Sequence, residues 1–309
     1  MGPSVPHRRR RPPAAPVGAG PVGAGPVVAG PIVAGPIVAG PIVAGPIVAA
    51  DWSGAATGER RHLWLAEWQP AAAAVVGVAP TTRTGAAERV LALAEADDRL
   101  LAGFDFSFSL PEWWLRSSGI TSVSELWADG ARLERWLAEC APPFWGRPGR
   151  RRPVPPAAGC PELRRTEVAA CRAALPHRPK STFQVGGAGA VGTASLRGMP
   201  VLSRLRRAGM AVWPFHAAGA GPVVTEVWPR LATGSVVKSR SDARLRWLKS
   251  RRHLLAPAVL ARAAASADAF DAVAAALQLA QWGTLPLVDV TDPTVVLEGW
   301  IYGVPFPGK

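Results

Sequence analysis

Two short apolar runs in this chain each end on an aspartate, and no other feature limits the fold as much. Pro46 to Ala50 leads into Asp51, and Leu100 to Phe104 leads into Asp105. Apolar runs of this length beside turn residues read as buried strands. If the two strands are parallel neighbours, both acids reach the same edge of a sheet, where open α/β folds keep their sites.

The intervening pattern agrees with an α/β domain. His62 to Trp68 alternates as a second strand and Ala73 to Val78 supplies a third. Gly85 to Asp98 has helical spacing, with Val90, Leu91 and Leu93 apolar. After Phe106 comes an insertion between about Pro111 and Leu196. Val123 to Cys140 reads there as a helix, and Pro142 to Lys180, rich in Pro, Arg and Gly, reads as irregular. Gly198 to Ala208 is expected to be helical. Gly209 to Phe215 and Pro222 to Trp228 read as strands. Asp242 to Ala264 and Ser266 to Trp282 read as helices, and Val295 to Val304 as a final strand or extended segment.

Further acids stand at telling places. Glu226 lies inside an apolar strand, where a carboxylate is costly to bury unless paired or metal-bound. Asp268 and Asp271 lie three apart near the start of an apolar helix, which puts them on one face. Each has a plain structural alternative. An aspartate at a strand end serves as a turn former, Asp268 suits a positive helix start, and Glu226 could meet an arginine such as Arg230. Taken together, converging carboxylates need a cation, because two of them about 5 Å apart repel by roughly 3 kcal/mol at an effective dielectric near 20. Oxygen-only ligands favour Mg²⁺ or Mn²⁺ over zinc. Such ions can activate a water and stabilise the leaving oxygen of a phosphodiester.

Several segments resemble one known family. They are Val48-Ala49-Ala50-Asp51-Trp52-Ser53-Gly54, Gly103-Phe104-Asp105-Phe106-Ser107-Phe108-Ser109-Leu110-Pro111, Pro179-Lys180-Ser181-Thr182-Phe183-Gln184, the glycine-rich run Gly186 to Thr193, Val212-Trp213-Pro214-Phe215, Glu226-Val227-Trp228-Pro229-Arg230 and Asp268-Ala269-Phe270-Asp271-Ala272. In this order, over about Ile47 to Val304, they are similar to the predicted RNase H-like nuclease family known as domain of unknown function 429. The resemblance implies an RNase H-like mixed sheet flanked by helices, a metal-dependent phosphodiesterase site and a cytoplasmic setting. It implies Asp51, Asp105, Glu226 and Asp271 as catalytic metal ligands for Mg²⁺ or Mn²⁺, with Asp268 additional or alternative. Lys180, Lys238 and Ser53 are the candidate substrate contacts, the lysines suited to a backbone phosphate. Nucleic acid is the expected partner.

Residues 1–45 stand apart. From Pro16 a five-residue unit built on Pro, Val or Ile, Ala and Gly repeats to Gly45, without a charge between Pro12 and Ala50. Hydropathy alone would suggest a membrane span. Proline in every unit excludes a spanning helix, since each interior proline costs roughly 3 kcal/mol. The expected state is a disordered Pro/Gly-rich tail that contributes nothing to catalysis.

Charge and cysteine usage narrow the setting. The formal charge is +13, of which Arg8 to Arg11 supply +4 and the rest of the chain +9. A basic body suits a polyanionic partner, or a surface in which Arg simply replaces Lys, and Arg147, Arg150, Arg151 and Arg152 beside Trp145 read either as a disordered basic loop or as a stacking surface for single strands. Three cysteines without a CxxC pair argue for a reducing compartment. Two rival functions remain. One is an actin-like nucleotide-binding or phosphotransfer protein, with the loop from Gly186 holding phosphate. The other is a non-catalytic protein that binds metal and nucleic acid.

Overall fold

The computed structural model describes residues 1–2, 45–153, 160–173, 177–282 and 291–306. The chain divides into two units, Met1–Val33 and Ala34–Lys309. The repeat tail expected over residues 1–45 lies, apart from residues 1, 2 and 45, outside the described residues.

The second unit is an α/β structure built on a six-stranded mixed sheet. Its strands are β1 (Ile47–Asp51), β2 (Trp64–Gln69), β3 (Ala74–Pro80), β4 (Leu101–Asp105), β5 (Ala211–Trp213) and β6 (Val223–Glu226), in the spatial order β3-β2-β1-β4-β6-β5. β1, β2 and β3 form an antiparallel meander. β4 joins β1 in parallel, and β6 and β5 continue the parallel half. The helices are α1 (Arg83–Ala96), α2 (Glu112–Ser117), α3 (Val123–Ala128), α4 (Gly130–Glu139), α5 (Arg165–Arg172), α6 (Gly192–Arg207), α7 (Arg230–Thr233), α8 (Ser241–Lys249), α9 (Pro257–Ala265), α10 (Ala267–Trp282) and α11 (Pro293–Glu298).

Strand alternation sorts the central residues onto two faces. Val48, Ala50, Phe104 and Val224 pack with Val90 of α1 and Leu196, Met199 and Leu202 of α6. Ile47, Ala49, Leu101 and Val223 pack with Phe270, Val273 and Leu277 of α10, and with Leu248 and Val259 of α8 and α9. A helix that is apolar all round must be covered on every side, and α10 is buried continuously from Ala269 to Leu279. Gly103 permits its approach. A Cβ there would lie 2.6 Å from Leu279 Cδ1 and 2.8 Å from Val227 Cγ1.

Several boundaries differ from the sequence expectation. The helix expected from Val123 to Cys140 is two, because Asp129 leaves helical geometry and caps the second through Oδ1, 2.9 Å from Arg132 N. The helix expected from Asp242 to Ala264 is also two, since Ala256 is extended before Pro257, which opens α9. The final apolar segment is a helix at its start. Asp292 Oδ1 accepts from Thr294 N at 2.9 Å and Pro293 sits in the first turn, so α11 forms before Ile301 bridges to Glu226. The stretch from Pro142 to Lys180 contains α5, and α2 precedes it. Among the described residues, no helix is long and apolar enough to cross a membrane.

Candidate active site

β1 and β4 run parallel with Asp51 directly opposite Asp105. Neighbouring strands lie about 4.8 Å apart, so the pair is held close by backbone register. Continuing the alternation of Ile47 and Ala49, Asp51 faces α10. That helix follows Ser266, whose Oγ accepts from Ala269 N at 3.2 Å, and brings Asp271 to the same place. Asp51 is 9% exposed and Asp271 4%, while Asp105 retains partial access to solvent.

The carboxyls of these three residues are all displaced upward. For Asp51 burial is the largest cause, followed by repulsion from Asp271 and Asp105. Asp105 is pushed up to about 7 by burial and then by Asp271. Asp271 is raised by burial against the opposing pull of Lys238. Lys238 is the cation of the cluster, with its Nζ bonded to Asp271 Oδ2. Burial alone would lower its ammonium, but Asp271, Asp51 and Asp105 outweigh this and raise it. Arg230 adds a second, weaker attraction for Asp105 and Asp271.

The loop carrying Lys238 is fixed from below by Arg244 of α8. This buried guanidinium donates to the Lys238 carbonyl and to Ala264 O, the latter at 2.7 Å through Nη2. Nothing in the sequence marks Arg244 apart from the other arginines of its helix. Its role follows from its burial.

Glu226 lines a cleft with Asp105 and adds to the repulsion on its carboxyl, but it meets a different partner. Its register partner on β4 is Phe104, one residue before Asp105, and the pleat turns it towards the opposite face. There Arg164, fully buried, grips it with both arms: Nη1 to Oε2 at 2.9 Å and Nη2 to Oε1 at 2.6 Å. Phe108 N donates to Oε2 at 3.0 Å. Glu167 holds the same guanidinium through Nε at 2.9 Å. Burial raises the Glu226 carboxyl, with Arg164 opposing. The arginine partner anticipated for Glu226 therefore exists, but it is Arg164 and not the adjacent Arg230. Glu298 braces this network: its Oε1 accepts from Glu112 N at 2.8 Å and its Oε2 from Arg165 N at 2.7 Å. Arg164, Glu167 and Glu298 lie in stretches where the sequence offers no periodicity to single them out.

The remaining candidates lie around this centre. Asp268, one helical turn before Asp271, is partly exposed and meets His62 Nδ1 at 3.4 Å. Ser53 is buried and spends its Oγ on Ala55 N at 3.1 Å. Lys180 is exposed and lines a cleft of about 50 Å³ together with Asp105, Ser107, Glu167 and Glu226. The glycine-rich loop is tied internally, with Gln184 Nε2 donating to Gly186 O at 3.3 Å and Ala188 O at 3.2 Å. A Cβ on Gly186 would lie 2.4 Å from Gly146 O, so close backbone packing accounts for that glycine.

The residues suit a hard divalent cation by their chemistry. The donors are carboxylate oxygens only, and burial plus repulsion leaves them short of positive charge with Lys238 as the bonded counter-ion. Among the described residues, no three His, Cys, Asp or Glu side chains form a ready-made metal-holding group. The chain matches no protein-family model, no curated protein and no solved structure.

Proposed function

We propose that this protein is an RNase H-like, Mg²⁺- or Mn²⁺-dependent nuclease whose reacting centre is formed by Asp51, Asp105 and Asp271. The six-stranded mixed sheet flanked by helices is compatible with that fold. One observation carries the reading. Three carboxylates from β1, β4 and α10 are brought together, two of them buried and all three raised, with a lysine in contact as counter-ion. A core designed only for stability would not collect like charges, because their repulsion in a poorly solvated place opposes folding.

Asp51, Asp105 and Asp271 would hold the ion, with Asp268 at the outer side. A bound divalent ion supplies a nucleophilic water at neutral pH and neutralises charge on the phosphate. The protein's own groups do the rest. The β1–β4 register fixes the spacing of two acids, Arg244 holds the Lys238 loop, and Lys180 and Lys238 attract the phosphate backbone. Glu226 in this scheme keeps its bond to Arg164 and braces the floor beside Asp105.

A cleavage panel of single-stranded, duplex and branched DNA and RNA with Mn²⁺ tests the proposal. Wild-type protein is expected to cut at least one substrate, and Asp51→Asn to abolish cutting with an unchanged far-UV spectrum. Full cleavage by the purified variant would sink the assignment.

A further inference from the structure

A second pocket lies in the part of the chain between β4 and α6. It measures about 390 Å³ and is lined by Trp113, Trp145, Phe183, Arg152 and Glu162, with two prolines. Aromatic walls with a few polar groups are the usual make-up of a small-molecule site. Two of its lining residues carry buried polar atoms without a hydrogen-bond partner: the indole Nε1 of Trp145, a donor, and Oε1 of Glu162, an acceptor. Buried groups of this kind are rarely left unpaired. The other oxygen of Glu162 is taken by Arg152 Nε at 3.1 Å, and the Arg152 guanidinium lies 5.5 Å from the Trp145 ring centroid. Arg152, Glu162 and the Trp145 ring are therefore fixed in place by one another.

The surroundings indicate what the pocket accepts. Arg150 and Arg151 are exposed beside it and form no ion pair among the described residues. The pocket also shares two segments of chain with the carboxylate cleft. Residues 162–167 give Glu162 to the pocket and Glu167 to the cleft, and residues 180–183 give Phe183 to the pocket and Lys180 to the cleft. Three residues of chain span at most about 11 Å, so a polymer running past Lys180 is within reach of the aromatic walls.

We infer that this pocket holds an unpaired nucleobase of a single-stranded nucleic acid. A base offers a π-face to Trp113 and Trp145, both half-buried, over the buried ring of Phe183. The adjoining phosphates would meet the exposed Arg150 and Arg151, with Arg152 over the Trp145 ring as a further cation. A lipid chain or an apolar side chain would fill the volume but give Arg150 and Arg151 no anionic partner. The assignment of the polymer rests on the nuclease reading, and the pocket's selectivity for an unpaired base is additional to it.

The test is fluorescence anisotropy of a short labelled single-stranded DNA, and of the same strand annealed into duplex, on the full chain in EDTA. Wild type is expected to prefer the single strand. Trp145→Ala should weaken single-strand binding by on the order of 10-fold, the size of one lost base stack, and leave duplex binding unchanged. Trp145→Phe keeps one aromatic ring but loses the pyrrole ring with its N–H, so it should fall between. Equal weakening of both ligands, or wild-type binding by a folded Trp145→Ala protein, would overturn the inference. If Trp145→Ala does not fold, Trp145→Phe and Glu162→Gln decide, and wild-type single-strand affinity in both overturns it. Binding is read with metal chelated. Its failure leaves the Mn²⁺-dependent cleavage test standing, and absence of cleavage leaves the binding result standing.

Discussion

Replacing Arg164 by methionine should be the most damaging single change near the site, although no sequence pattern points to it. The side chain is fully buried and serves Glu167, both oxygens of Glu226 and the Glu298 carbonyl, the last at 3.0 Å. Methionine fills a similar volume but leaves Glu167 and Glu226, each 3% exposed, without a bonded cation among the described residues. Breaking a buried ion network on one side costs about 3–5 kcal/mol. The pH dependence has a definite sign. Burial already raises the Glu226 carboxyl while Arg164 pulls it down, so loss of Arg164 raises it further. A carboxyl raised in the folded state stabilises while protonated, and that stability is lost as pH rises through its folded value. The deficit of Arg164→Met should therefore be smaller near about pH 5 than near about pH 8. Urea denaturation followed by circular dichroism at both pH values measures it, with an unchanged slope confirming comparable unfolding. Adding Glu167→Gln and Glu226→Gln should recover much of the loss. A deficit below about 1 kcal/mol at both pH values, or one that grows on acidification, would refute the reasoning.

Other changes probe the acidic centre and its support. Asp105 is pushed up to about 7, so between about pH 4 and pH 7 the metal-free protein loses stability as this group ionises. Asp105→Asn should accordingly stabilise the protein in EDTA above about pH 7, with a ceiling of about 4 kcal/mol from that displacement. Solvent access reduces the expected gain to about 1–2 kcal/mol, and chemical denaturation at pH 8 that shows a loss would contradict it. Lys238→Ala removes the cation bonded to Asp271. It should destabilise the metal-free protein by about 1–3 kcal/mol and tighten Mn²⁺ binding in calorimetry, whereas weaker binding would show that Lys238 helps to hold the ion site. Gly103→Ala places a Cβ 2.6 Å from Leu279 Cδ1. A loss of about 1–3 kcal/mol by thermal melting is expected from overpacking, and a neutral result would mean that α10 can slide on the sheet.

The sheet was largely legible because its signals are local. Strands β1 and β4 are short apolar runs ending on Asp51 and Asp105, and β2 and β3 have alternation and turns around them. The parallel register that sets those aspartates side by side could be expected from strand geometry alone. Asp271 was legible because an acid in an otherwise apolar helix is conspicuous. The helix breaks at Asp129 and Pro257 were written in capping and proline chemistry that overall periodicity obscured. Glu226 shows where the letters leave a choice open. An acid in a buried strand demands a partner, and the sequence cannot say whether a metal or an arginine provides it. Arg164 does so from 62 residues away, out of a stretch that reads as irregular. The same holds for Arg244 and Glu298. An arginine or glutamate that is buried has the same letter as one on the surface, and only the tertiary structure separates them.

Mn²⁺ titration calorimetry on the full chain asks whether Asp51, Asp105 and Asp271 form the proposed divalent-cation site. Wild-type protein should bind Mn²⁺, and Asp51→Asn should weaken that binding by roughly 10-fold or more while retaining the same fold by circular dichroism. Absence of Mn²⁺ binding by the wild type, both alone and with nucleic acid present, would contradict the account.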